Sequence, residues 1–242
     1  MRKSLAFVIA GTGMLAACTN GDAESGGPTV SRNYQVGSFQ EVELAGHYDV
    51  EIRTGSPISV NARGPENVLN RLRVEVDGNK LTIGPKNEGG WFHFGRRFSR
   101  ETVHVTVTVP TLTSATLAGS GVLNVDKVQG GSFEGTVAGS GQLNLTSVDV
   151  QSLKLNIAGS GSAKAGQGKA QSAEVDIAGS GNVDAGAVHT NQVKVSIAGS
   201  GGVRANASNT ATVDIMGSGD VDISGGAKCT VSKAGAGNVR CS

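Results

Sequence analysis

The chain has no surplus of charge of either sign, with 21 Lys and Arg against 20 Asp and Glu in 242 residues. A nucleic-acid binder concentrates basic groups to meet phosphates, so this balance argues against that partner. No hydrophobic run is long enough for a permanent membrane span. The most apolar stretch, "SLAFVIAGTGML" at residues 4–15, is too short and is broken by glycine. Cysteine is scarce, with only Cys18, Cys229 and Cys241. The four histidines, His47, His93, His104 and His189, show no metal-ligand spacing, and no EF-type loop is present. Neither a metal nor a cofactor is expected. No part of the repetitive region keeps a helical period over three turns, which makes leucine-rich, ankyrin and tetratricopeptide-type repeats poor fits.

What is present begins with an address. Arg2 and Lys3 precede the apolar stretch, which ends in "LAAC", Leu15–Cys18. This reads as a secretion signal over residues 1–17, and the quartet resembles the bacterial lipoprotein box, which implies cleavage before Cys18 and lipidation of that residue. A plain secretory signal with an incidental cysteine is the alternative. Lipid burial contributes about 0.8 kcal/mol per methylene, so several chains on one cysteine would hold the protein at a membrane. By resemblance to enterobacterial sorting, Thr19 after the cysteine favours the outer membrane of a Gram-negative envelope. Residues 18–32 are polar and rich in Gly and Ser, and are expected to form a flexible tether.

The motif Ala-Gly-Ser-Gly starts at Ala118, Ala138, Ala158, Ala178 and Ala198, and recurs as "MGSG" from Met216 and "AGAG" from Ala234. A constant step of about 20 residues marks a stacked repeat. Within each unit the apolar residues alternate, as in Leu153, Leu155, Ile157 before the motif and Val183, Ala185 after it. Period two means strands with one buried face. The fold class expected is all-β, a single right-handed parallel β-helix with coils of about 18–20 residues. Strands one coil apart lie about 4.8 Å from each other, so seven motif copies predict a rod on the order of 34 Å long. Glycine permits the same sharp corner in every coil. The motif serines are expected to stack as a hydroxyl ladder. A phosphate loop is a poor fit, because each motif leads into a strand and not a helix.

Two outward columns alternate in sign: Lys164, Asp184, Arg204, Asp222, Arg240, and Lys154, Glu174, Lys194. Stacked at strand spacing, these should pair and resist a slip of one coil. Inward slots hold Ala163, Ala165, Ala173, Ala185 and Ala205, so the core is thin and each coil depends on its neighbours.

The ends differ. Cys229 and Cys241 fall in inward slots symmetric about the last turn, and a disulfide is expected there, with a metal pair or a reactive thiol pair as alternatives. Residues 33–110 read as a less regular N-terminal cap, continuous with the regular coils of 111–242. In it "VELAGHYDVEI" (42–52) resembles a worn repeat, Asp77-Gly78 signals a hairpin, and Pro65 opens a short helical turn. The run Phe39, Val42, Leu44, Gly46, Val50, Ile52, the pattern V.VTVP.L at 105–112 and the serial V.I.GSG.V units resemble the auto-transporter adhesin, head GIN domain family. That resemblance covers about residues 34–240 and implies a secreted or lipid-anchored β-helical domain without a catalytic motif.

One segment stands apart. "GGWFHFGRRFSR" (89–100) holds Trp91, Phe92, Phe94 and Phe98 beside Arg96, Arg97 and Arg100. Trp91, Phe92, Phe94, Arg96 and Arg97 are a candidate contact surface for sugar, lipid headgroup or protein. Alternatively, the aromatics fold back over the apolar end of the solenoid. Asp214, Asp220 and Asp222 flank one turn, but Asp222 belongs to a charge column, and the serines lack His and Asp partners. The expectation is therefore a non-catalytic envelope lipoprotein, a scaffold for adhesion or envelope interaction. A binder or enzyme acting on envelope polysaccharide is the alternative. Expected partners are the membrane, a glycan or protein of the envelope, and a second copy stacked end to end.

Overall fold

The computed structural model describes residues 27–86 and 102–242. Cys18 and the aromatic segment from Trp91 to Arg97 lie outside them. The described chain is nearly all strand and winds into a solenoid of about six turns. In order, the N-terminal part holds Thr29–Tyr34 (β1), Glu41–Gly46 (β2), Asp49–Thr54 (β3) and Ser59–Pro65 (β4). Glu66–Leu69 (α1), Leu72–Asp77 (β5), Lys80–Pro85 (β6) and His104–Val109 (β7) follow. The regular part holds Ser114–Gly119 (β8), Val122–Gly139 (β9), Gln142–Gly159 (β10), Ser162–Gly179 (β11), Asn182–Gly199 (β12) and Gly202–Gly217 (β13). It closes with Asp220–Ser224 (β14), Lys228–Ala234 (β15) and Asn238–Cys241 (β16).

Each long strand bends around corners. In β10 the buried positions are Leu143, Leu145, Val148, Val150, Leu153, Leu155 and Ile157. Alternation is interrupted by two outward residues at Thr146-Ser147 and again at Gln151-Ser152. With the Ala-Gly-Ser-Gly turn, that makes three corners and three flat sides. Side one is 142–145, side two 148–150 and side three 153–157. Coils pair in parallel and in register, so Ile157, Ile177, Ile197 and Ile215 stack as one buried column. Gly135 sits in an inward slot where a Cβ would meet Leu143 and Leu155 side chains, leaving room for Phe133 one position pair away. The 18-residue coils lose their two residues on side two, between Ala185 and Gln192 in the β12–β13 register, and the Gly-Ser-Gly corner is untouched.

The first glycine of every motif has φ between +116° and +137°, counting the worn copy at Gly46. The second is buried against the coil before it; a Cβ on Gly181 would lie 2.5 Å from Ile157 Cγ2 and 2.6 Å from the Gly161 oxygen. The serine between them does not build the expected hydroxyl ladder. Ser140, Ser160, Ser180 and Ser200 are exposed. It is their backbone N–H groups that donate to the glycine carbonyl of the previous coil, at 2.9–3.0 Å. The corner turns outward at this residue, which carries the side chain away from the stack.

The N-terminal part departs from simple stacking. β2 and β3 form a coil, as the worn repeat suggested, but β2 lies between β6 and β8, and β3 between β7 and β9. The coil formed later in the chain, β6 with β7, is therefore the outer one. Antiparallel β4 pairs with β7, β1 pairs with β4, and the β5–β6 hairpin turns at Gly78, so this end of the rod is covered. The tether expected over 18–32 is thereby shortened. Thr29–Arg32 belong to β1, because alternate residues Val30, Arg32 and Tyr34 are half-buried against the cap. α1 starts after Pro65, as expected.

Candidate functional site

The three sides present different chemistry to solvent. Side three carries Lys154, Glu174 and Lys194 in register, and these pair: Glu174 lies 3.9 Å from Lys154 and 3.0 Å from Lys194. The hydrogen bond from Lys194, above all, holds the Glu174 carboxyl below its ordinary range, and the same bond raises the Lys194 ammonium. Beside this ladder runs an apolar groove of about 390 Å³ along Ala158, Ala178, Ala198 and the exposed Met216. Side two carries a wide polar groove of about 1090 Å³, with Asp149, Lys169 and His189 in one column and Gln151, Gln171 and Asn191 at the corner. There Lys169 lies 3.8 Å from Asp149.

Side one holds a third groove, of about 610 Å³. Its first wall is the residue after each corner: Gln142, Ser162, Asn182, Gly202, Asp220 and Asn238. Its second is the column Lys164, Asp184, Arg204, Asp222, Arg240. The sequence placed these five in register correctly. The ion pairs expected between them do not form: among the described residues none of the five lies within 4.0 Å of an opposite charge. The first wall instead ties down backbone. Asn182 Oδ1 accepts the Gly202 N–H at 3.1 Å, and Asp220 Oδ1 accepts the Asn238 N–H at 3.1 Å. Sequence reasoning passed over this wall, although the same count of twenty exposes it, since the position after the motif is polar or glycine in each of these coils.

The remaining candidates fall as follows. Cys229 and Cys241 are joined, with Cα atoms 6.6 Å apart, in the slots that continue Ala211 and Ile223. Lys233 continues the isoleucine column and donates to the Gly237 carbonyl at 2.7 Å. Val231, which continues the buried Val213 position, is 45% exposed, so the last coil ends in a small apolar face beside Lys233. Asp214 lies on side three, across a corner from Asp220 and Asp222 on side one, so the three do not converge. Among the described residues no group of three or more His, Cys, Asp or Glu could hold a metal ion. His104 lies 3.6 Å from Asp49, and His47 stacks on Tyr48 at a ring distance of 5.0 Å. The aromatic segment enters between β6 and β7. Twenty residues, 84–103, stand there where the corner stacked beside them uses four, Ala45–Tyr48.

Register, corner and side define the class: a parallel β-solenoid with polar ladders on its outer sides. Over residues 38–227 the chain matches the family described as "Putative auto-transporter adhesin, head GIN domain", and it belongs to that family. Solved structures share the fold. A putative adhesin from Bacteroides fragilis NCTC 9343 is 23% identical, with a TM-score of 0.78, covering 88% of this chain and 97% of that one. A putative lipid binding protein from Parabacteroides distasonis ATCC 8503 is also 23% identical, with a TM-score of 0.72 and coverage of 89% and 97%. A putative adhesin from the same organism is 19% identical, with a TM-score of 0.70 and coverage of 89% and 98%. At these identities the likeness establishes the fold alone. A comparison with curated proteins finds no match.

Proposed function

We propose that this protein is a non-catalytic lipoprotein of the cell envelope, anchored through lipid on Cys18, whose solenoid is a rigid scaffold for adhesion or envelope interaction. One observation carries the reading: polar side chains repeat in register along the outer sides of a rod, and among the described residues no convergent acid, base or nucleophile accompanies them. Such a surface binds extended partners by many small contacts and does not activate a single bond. The names of the relatives, adhesins and a lipid binding protein, agree with binding over catalysis, and the family points to an envelope or surface location. The outer membrane is the membrane this reading favours, with Thr19 following the lipid-bearing cysteine.

Trp91, Phe92, Phe94, Arg96 and Arg97 are proposed as a second contact surface, inserted where another coil has only a tight corner. The second reading, a binder of envelope polysaccharide, is favoured by the side-one groove with its unpaired charges. Membrane fractionation of Cys18→Ala against the parent tests the anchor, and release of the parent into the soluble fraction would contradict it. Incubating the protein with purified envelope polysaccharide tests the chemistry. Binding without new reducing ends is expected, and release of sugar ends overturns the scaffold reading.

A further inference from the structure

The side-one column is a ladder whose rungs are left open. Lys164, Asp184, Arg204, Asp222 and Arg240 follow one another coil by coil, yet form no ion pair among the described residues. The coil spacing is not the obstacle, because Lys154, Glu174 and Lys194 close at the same spacing on side three. On side one the charged side chains line a groove, and among the described residues only Asp184 of the five makes a hydrogen bond, its Oδ1 accepting the Gly186 N–H at 3.3 Å. Three are donors only and two are acceptors only, in strict alternation.

We infer that this groove binds a neutral, linear, β-1,4-linked glycan lying along the rod axis with one sugar per coil. The inference rests on the non-catalytic binding reading above and gives that reading a ligand class. Three observations select it. First, with Asp220 on the opposite wall, the cations and carboxylates of the groove cancel. A polyanion or polycation would meet as much repulsion as attraction, whereas a sugar hydroxyl both donates and accepts and can answer either rung.

Second, coils repeat at about 4.8 Å, close to the advance of one extended pyranose residue. Successive β-1,4-linked sugars are turned over relative to each other, so the same ring edge returns to the wall every second coil. The same sign of rung likewise returns every second coil.

Third, the wall is lowest at its middle, where the Asn182 amide lies over Gly202. Gly202 has no side chain, and a Cβ there would lie 2.8 Å from Asn182 Oδ1, which instead folds across to accept the Gly202 N–H. A ring bound there would rest on the Asn182 amide and not on a longer side chain. Net binding is built from many weak contacts, so it must grow with ligand length until the groove is filled. The first wall runs over six rungs, from Gln142 to Asn238.

The test is calorimetric titration of the full chain with chito-oligosaccharides of two to eight sugars. Affinity is expected to rise with length to about six sugars and then level off. Arg204→Gln and Asp222→Asn should each weaken the hexamer by about tenfold, as expected for hydrogen bonds to charged groups. Gly202→Thr displaces the Asn182 amide and should weaken binding together with a fall of about a few degrees in melting temperature, so Arg204→Gln and Asp222→Asn, which break no backbone bond, carry the test. Lys169→Gln, on side two, should change nothing. The inference is overturned by absence of binding at every length or by affinity independent of length. Tighter binding of a β-1,4-linked oligomannuronate than of the neutral β-1,4-mannan oligosaccharide, or equal loss in the side-two variant, overturns it as well. These outcomes leave the binding reading standing, and only release of reducing ends from the oligosaccharides removes both.

Discussion

The three residues of one Gly-Ser-Gly corner should differ sharply in their contribution to stability, and the corner at Gly179, Ser180 and Gly181 shows why. Gly179 has φ +128°, a region that costs an L residue about 1–3 kcal/mol. A Cβ added there would lie 2.3 Å from the Gly159 oxygen, so the coils must also part. That breaks the Ser180 N–H bond to the same oxygen, now 2.9 Å long, for about a further 1 kcal/mol. Gly179→Ala should therefore cost about 3 kcal/mol, or roughly 6–12 °C in melting temperature for a domain of this size. Gly181→Ala has no φ penalty. It overpacks the Ile157 methyl and the Gly161 carbonyl, for about 1–3 kcal/mol. Ser180→Ala removes an exposed hydroxyl that bonds nothing in the protein, and should stay within about 0.5 kcal/mol. Thermal and urea denaturation followed by circular dichroism would rank the three. If Ser180→Ala proved as damaging as Gly179→Ala, the corner would be held by hydroxyls after all, and the backbone account would be wrong.

Other consequences follow from the same stack. Replacing Cys229 and Cys241 by Ser opens a ring of roughly 13 residues and should cost about 3 kcal/mol. Hydrogen exchange should place that loss in β15 and β16, with β10 to β12 unchanged. Deleting residues 158–177 joins Ile157 to Ala178 in the same register and should leave a shorter rod with an unchanged strand spectrum. Lys233→Ile extends the isoleucine column onto the exposed last coil, and sedimentation should then show concentration-dependent association. A monodisperse variant would mean that Lys233 guards nothing. The carboxyl of Glu174 is depressed by Lys194, so its contribution is present above the ordinary carboxylate range and is lost as pH falls through the lowered value. Below that range the parent should lose more melting temperature than Glu174→Gln. The effect should be small, since both partners are partly exposed.

The regular coils were legible in the sequence because their periods are set locally. Alternation of Leu153, Leu155 and Ile157 can serve only a strand with one buried face, and a fixed step of twenty returns the same residue to the same slot. The slots of Cys229 and Cys241 followed from that count alone. The side-one groove was half legible. Its charge column shows in the spacing, but whether neighbouring charges pair depends on side-chain directions that spacing does not contain. The columns of Glu174 and Asp184 read alike, yet one closes and the other stays open.

The cap was less legible still. The hairpin at Gly78 and the turn after Pro65 are local and could be read. The strand role of Thr29–Tyr34 depends on a partner thirty residues away. Sequence order also suggests that the coil at 41–54 is outermost, but β6 and β7 come to lie outside it, so the chain stacks its next coil on an earlier one. Any parallel strand of the right length and apolar face can occupy either level. The choice belongs to the long-range fit of β4, β5 and β7 against the open end, and only the folded molecule makes it. By itself the sequence determined the repeat, its corners and its buried columns, because these depend on residues a few positions apart. Tertiary structure decided which coil closes the rod and which charges remain free, because these depend on contacts between segments far apart in the chain.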